Sequence, residues 1–161
     1  MLTLGIDPGT ATLGWGFVEE DGAGLNLVCY GCVKTSPKST ASERLGILHS
    51  EIKSLVKKHK PDCLAVERLF FGANAKTAIS VGQARGVVLL VAAEEGLPVA
   101  EYTPLEVKMA ATGYGRADKN QMQQMVKALL KLDAIPKPDD AADALAVAIC
   151  HLNSYKMAVG V

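Results

Sequence analysis

Four acidic residues, Asp7, Glu67, Asp140 and Asp143, fall where strands or helices are predicted to begin or end. Carboxylates at such places can meet a cation or a phosphate. The stretch Leu2-Thr3-Leu4-Gly5-Ile6-Asp7-Pro8-Gly9 is an apolar run that stops on one acid, with breakers after it and small residues on either side. Taken alone, Asp7-Pro8-Gly9 reads first as a β-turn whose Asp bonds its own backbone. Glu67 changes that weighting, because it too ends an apolar run, Cys63-Leu64-Ala65-Val66. Asp140 and Asp143 are three apart and share one helical face beside Ala141, Ala142 and Ala144. Anions grouped in a partly buried site raise one another's pKa unless a cation compensates. All-oxygen ligation favours Mg²⁺ or Mn²⁺ over zinc. Two such ions about 3.5–4 Å apart would support in-line hydrolysis of a phosphodiester. Each acid also has a plainer reading: Asp139 and Asp140 as first-turn acids favoured by the helix dipole, and Glu67 as a solvated strand end. Asp143, one turn into an alanine-rich helix, does not fit a cap. His151 reads as a structural histidine.

The elements that must position these acids follow from periodicity and punctuation. Residues 2–7, 13–20 and 25–33 read as three consecutive antiparallel strands, the last two joined by Asp21-Gly22-Ala23-Gly24. Thr40-x-x-Glu43 is a capping box before a stripe of Leu45, Leu48, Ile52, Leu55 and Val56, so a helix follows, closed by Pro61. The run 63–66 is a strand covered on both faces, and 99–102 is expected to be another buried strand. Between them a helix is predicted over about 74–95, with Gly96 at its C-cap. Gly82 and Gly86 within it predict close contact with another backbone. Thr103-Pro104-x-Glu106 opens a further helix, Gly113-Tyr114-Gly115-Arg116 breaks it, and Asp118-x-x-Gln121 opens the next, to about 132. Pro136 and Pro138 mark a linker before a last helix from 139 or 140 to 151. The class is α/β: a five-stranded mixed sheet, three antiparallel strands then two parallel, flanked by helices.

At 161 residues the chain has the size of one domain, 1–161, and no internal repeat or low-complexity segment divides it. Hydrophobic residues make up 49% and charged residues 21%, which excludes a disordered or fibrous chain. The formal net charge is zero, so nucleic acid would have to be held by a local basic face. Cys29 and Cys32 have C-x-x-C spacing, but in a strand residues three apart point to opposite faces, so the pair is expected to be neither a zinc site nor a redox site. The chain starts directly with strand-like residues, and its longest apolar run, 87–93, is far too short to cross a bilayer. A cytoplasmic protein with free thiols and no membrane contact is expected.

Several stretches together resemble the RuvC family of Holliday junction resolvases. They are Gly5-Ile6-Asp7-Pro8-Gly9 with Gly14-Trp15-Gly16, Ala65-Val66-Glu67 with Phe70 and Asn74, Gly82-Gln83-Ala84-Arg85-Gly86, and Asp140-Ala141-Ala142-Asp143-Ala144-Leu145-Ala146. The match is collinear from Gly5 to about His151, and the combination is specific where no single motif is. The resemblance implies a ribonuclease H-like fold, a homodimer and Mg²⁺-dependent symmetric cutting of four-way DNA junctions in recombination and repair. It implies two Mg²⁺ per active site, with Mn²⁺ able to substitute, and RuvA and RuvB as branch-migration partners. It carries over Asp7, Glu67, Asp140 and Asp143 as catalytic metal ligands, and Phe70 as an aromatic that stacks on an unpaired base near the crossover. A dimer-interface or loop-packing role is the alternative for Phe70. Lys108 and Lys119 match family lysines near the scissile phosphate. Arg116 departs from the small or uncharged residue usual there and is added as a DNA contact by extrapolation. Asn74, Lys76 and Arg85 are further phosphate candidates whose alternative is a solvated helix face. The helix around 82–91 is the expected dimer contact, with packing on the sheet as its alternative.

Two rival readings share parts of this pattern. A sugar-kinase or actin-like phosphotransferase also has a strand ending in Asp-x-Gly-Thr, as in Asp7-Pro8-Gly9-Thr10, but needs a second similar half with its own Asp-x-Gly, which is missing. A non-catalytic junction-binding module should lack at least one of the four acids, and all four are present.

Overall fold

The computed structural model describes residues 1–69 and 75–159. The chain runs β1 (Leu2–Asp7), β2 (Thr12–Glu20), β3 (Leu25–Lys34), α1 (Ala41–His59), β4 (Cys63–Glu67), α2 (Ala75–Glu94), β5 (Val99–Tyr102), α3 (Pro104–Thr112), α4 (Lys119–Leu129) and α5 (Asp139–Val159). The strands form one sheet in the order β3-β2-β1-β4-β5. β1 pairs antiparallel with β2 from Leu2↔Glu19 to Asp7↔Gly14, and parallel with β4 from Thr3↔Cys63 to Ile6↔Val66. A five-stranded mixed sheet with β1 in the centre, flanked by helices, is the ribonuclease H-like arrangement.

The alternation of side chains along β1 and β4 decides where the acids go. Leu4 and Ile6 on β1, with Leu64 and Val66 on β4, enter the core shared with Leu48 and Ile52 of α1 and Ala84, Val88 and Val91 of α2. Asp7 and Glu67, one residue beyond Ile6 and Val66, therefore lie on the opposite face. That face is covered by α5, whose residues Ala144 to Cys150 are buried with Val107 and Ala111 of α3 and Met122 and Val126 of α4.

Close approach of α5 depends on glycines in the strands. A Cβ at Gly14 would fall 1.9 Å from the Asp140 carbonyl oxygen, and one at Gly5 would fall 2.0 Å from that of Ala144. Any side chain there would hold α5, and its acids, away from the sheet.

Several expectations need correction. β5 is an edge strand with alternating exposure, not a buried one, because nothing pairs beyond it and Val99 is 37% exposed. α1 does close at Pro61: it ends at His59, and its cap Lys60, left-handed at φ 49, gives its N–H to the Val56 carbonyl at 2.8 Å immediately before the proline. α5 continues eight residues past the expected end at 151, to Val159. Gly82 and Gly86 meet no other backbone among the described residues: a Cβ at Gly82 would touch only the Leu69 side chain at 3.3 Å, and one at Gly86 would meet nothing within 4 Å. Gly96 does cap its helix region with φ +64. By length and composition alone, residues 77–94 of α2 are apolar enough to cross a membrane; in the fold, Ala84, Val88, Val91 and Ala92 pack on the sheet. All four cysteines are free. Cys29 faces His59 of α1, and Cys32 lies near Asp140 and Ala141 of α5, so the C-x-x-C pair straddles the sheet.

Candidate active site

A cavity of about 260 Å³ opens at the ends of β1 and β4. It is lined by Asp7, Glu67 and Asp143, by Lys108 of α3 and Lys119 of α4, and by apolar Pro104, Val107, Met122 and Val147. Three capping devices build the helical walls. Thr103 and Glu106 form a reciprocal capping box that starts α3, Asp118 and Gln121 form another that starts α4, and Pro104 occupies the first turn of α3. These fix Lys108 one turn into α3 and Lys119 at the first residue of α4. Asp143 follows from α5, seated on Gly14.

Burial and mutual repulsion govern the acids. Asp7 is pushed up to about 7, first by burial and then by the charges of Asp143, Asp140 and Glu67, with Lys119 pulling the other way. Glu67 is raised by burial and Asp143, opposed by Lys108. Asp143 is raised by burial, opposed by Lys119, whose Nζ stands 3.6 Å from Asp143 Oδ2 and 3.3 Å from Asp139 Oδ2. Asp139 is held near 2 by hydrogen bonds from Lys137 and Lys119. Its part is to anchor the two lysines, which goes beyond the simple first-turn acid expected.

The acids thus come together but are under-neutralised. Among the described residues no three His, Cys, Asp or Glu side chains already form a closed ligand group. The donor set is nonetheless all oxygen, and carboxyls whose pKa is raised by burial and then by one another are what a divalent cation relieves. Asp7, Glu67 and Asp143 face the cavity; Asp140 does not line it, although its charge reaches Asp7.

The predicted DNA contacts separate into groups. Lys108 and Lys119 are in the cavity wall. Arg116 is exposed in the turn between α3 and α4, outside the cavity. Phe70 and Asn74 lie outside the described residues, and of Lys76, in the first turn of α2, only the backbone is described. Arg85 is not a free phosphate contact: it is 16% exposed, and its guanidinium donates to Glu101 Oε2 at 2.5 Å. Sequence reasoning missed this pair, which also draws in Arg68 at 3.9 Å, because the partner sits on a different element. It also missed that His151, as a structural residue, pairs its Nδ1 with the Tyr102 hydroxyl at 2.8 Å, on the strand residue level with Glu67.

The sheet order, with carboxylates at the ends of two parallel neighbours and a third from the first turns of the last helix, places the chain among ribonuclease H-like proteins that carry an acidic cavity at the strand ends. The family model for Crossover junction endodeoxyribonuclease RuvC matches residues 3–151. The chain is 60% identical over 157 residues to the Crossover junction endodeoxyribonuclease RuvC of Desulfitobacterium hafniense, covering 98% of this chain and 95% of that one. Among solved structures, Thermus thermophilus RuvC superposes with a TM-score of 0.90 at 40% identity, covering 98% and 97% of the two chains. T. thermophilus RuvC in complex with Holliday junction substrate gives 0.93 at 40% identity, covering 98% and 96%. This chain belongs to the RuvC family of crossover junction endodeoxyribonucleases.

Proposed function

We propose that the chain, acting as one nuclease domain over 1–161, resolves four-way DNA junctions by paired, symmetric phosphodiester hydrolysis in recombination and repair. The observation that carries this reading is the meeting of Asp7, Glu67 and Asp143, from three separate elements, in the wall of one cavity beside Lys108 and Lys119, with the charge of Asp140 reaching Asp7 from the same helix turn as Asp143. Such a site is stable as a set of anions only around cations. Asp7, Glu67, Asp143 and Asp140 would hold two Mg²⁺, with Mn²⁺ able to substitute. When bound, the ions supply Lewis acidity and an activated water for in-line displacement. The chain's own residues do the rest. Lys108 and Lys119 orient the scissile phosphate and offset its charge, while Val107, Met122 and Val147 keep bulk water from the acids.

Two equivalent strands must be cut, so a twofold dimer fits the substrate. The surface proposed for it is α2. Ile79, Gln83, Gly86, Leu90 and Ala93 form an exposed stripe without a charge, with Ile79 67% and Leu90 52% exposed. Monomers rarely leave such a stripe open. Phe70 stacking on a base, phosphate contacts by Asn74, Lys76 and Arg116, a cytoplasmic location, and RuvA and RuvB as partners complete the reading on family grounds. The test compares a four-way junction with a linear duplex of the same sequence in Mg²⁺, Mn²⁺ and chelator. Paired cuts in the junction alone, abolished by chelator, are expected. Equal cutting of the duplex, or cutting in chelator, would overturn the proposal.

A further inference from the structure

A second cavity, of about 330 Å³, lies on the outer side of the turn between α3 and α4. Thr112, Tyr114, Ala117, Asn120, Gln121, Gln124 and Met125 line it. No cation is among them, so the cavity does not suit a phosphate. Three side-chain amides offer donors and acceptors together, beside a phenol ring that is 55% exposed. Asn120 and Gln124 are one helical turn apart on an exposed face, and their side-chain amides have no hydrogen-bond partner among the described residues. Gln121 spends its carbonyl on the Asp118 N–H at 2.9 Å.

Hydrogen bonds hold the turn that walls the cavity. Thr112 Oγ1 accepts from the Tyr114 N–H at 3.0 Å and lies 2.8 Å from the Lys108 carbonyl, and the Ala117 N–H bonds the Tyr114 carbonyl at 3.2 Å. The same two helices also wall the catalytic cavity. Thr112 is one turn from Lys108, and Asn120 directly follows Lys119, so each lysine of the catalytic cavity adjoins a residue of this one. The second cavity therefore lies one helical turn from Lys108 along α3 and one residue from Lys119 along α4, around the side of α4 from the catalytic cavity.

We propose that this cavity is a nucleobase subsite, in which one unstacked base of the junction strand stacks on Tyr114 and is read by the Asn120 and Gln124 amides. Paired amide donors and acceptors are suited to a base edge, best to adenine. An aromatic face accepts any base and supplies the stacking. The inference rests on the junction-nuclease reading and adds to it a source of sequence preference away from the cut.

The test uses the full chain with Mg²⁺ and junctions randomised on both sides of the cleavage point, with products sequenced. The wild type is expected to prefer one base at a position separated from the cut, by about tenfold over the least favoured. Tyr114→Ala and Gln124→Ala should flatten that position toward no preference and leave the nucleotides adjoining the cut as they were. Glu51→Gln, on the far helix α1, should keep the whole profile. The substituted side chains are exposed, so melting curves should match the wild type, and a merely structural role would lower the rate without reshaping the profile. Junction cutting with the same profile in wild type and both variants would overturn the subsite alone. Failure of the wild type to cut any junction would overturn the nuclease reading and the subsite with it.

Discussion

Helices α5 and α2 are both long and rich in alanine and other apolar residues, yet they meet the sheet differently. α5 sinks into glycines: its carbonyls at Asp140 and Ala144 occupy the space that side chains at Gly14 and Gly5 would fill, and from Ala144 to Leu152 every residue is buried. α2 packs through Ala84, Val88, Val91 and Ala92 and leaves Ile79, Gly86 and Leu90 exposed. The first contact positions acids within one chain, since a helix seated this closely brings Asp143 to the cavity that Asp7 and Glu67 line. The second leaves an apolar surface whose covering, on the dimer reading, is another copy.

The largest test of this contrast uses pH. Asp7 keeps its proton in the fold to about pH 7 and loses it near 3.8 when unfolded. The native state then binds more protons than the unfolded one in that window. Stability of the metal-free protein should therefore fall as pH rises from about 4 to about 7, by up to about 4 kcal/mol, and level off above. Denaturant titrations across that range should show the slope in the wild type, its loss in Asp7→Asn, and a recovery of stability above pH 7 when Mg²⁺ is added. A flat profile would mean that α5 brings its acids to β1 without strain.

Gly14→Val attacks the seat of α5 directly. It should cost about 3 kcal/mol or more by overpacking, read as a lowered urea midpoint. On α2 the corresponding attack is Leu90→Glu, which should leave folding intact and weaken self-association roughly 30-fold or more in sedimentation velocity. Unchanged association would move the dimer contact elsewhere. The smallest effect is Gly86→Ala. In a monomer it should add up to about 1 kcal/mol of stability, because the site is exposed and has room for a methyl group. Destabilisation there would show that the face is already covered.

The acidic constellation was legible because strand alternation and helix punctuation are local signals. Once Leu4, Ile6, Leu64 and Val66 are assigned to one core, Asp7 and Glu67 must face the other. Capping boxes at Thr103 and Asp118 likewise marked the helices that deliver Lys108 and Lys119. What escaped was non-local. Gly5 and Gly14 look like ordinary strand glycines until the helix that lies on them is known. Arg85 resembles a surface cation in sequence, but Glu101, 16 residues on, claims it. Val99 and Ala100 read as buried because a short apolar run does not show whether another strand lies beyond it.

The central claim is that the ends of β1, β4 and α5 make one catalytic site. Its most direct test is single-turnover cleavage of a four-way junction by wild type and Asp7→Asn in Mg²⁺, alongside junction binding by mobility shift. Binding should persist in the variant while cleavage falls by more than about a hundredfold. Cleavage by Asp7→Asn at close to the wild-type rate would contradict the account.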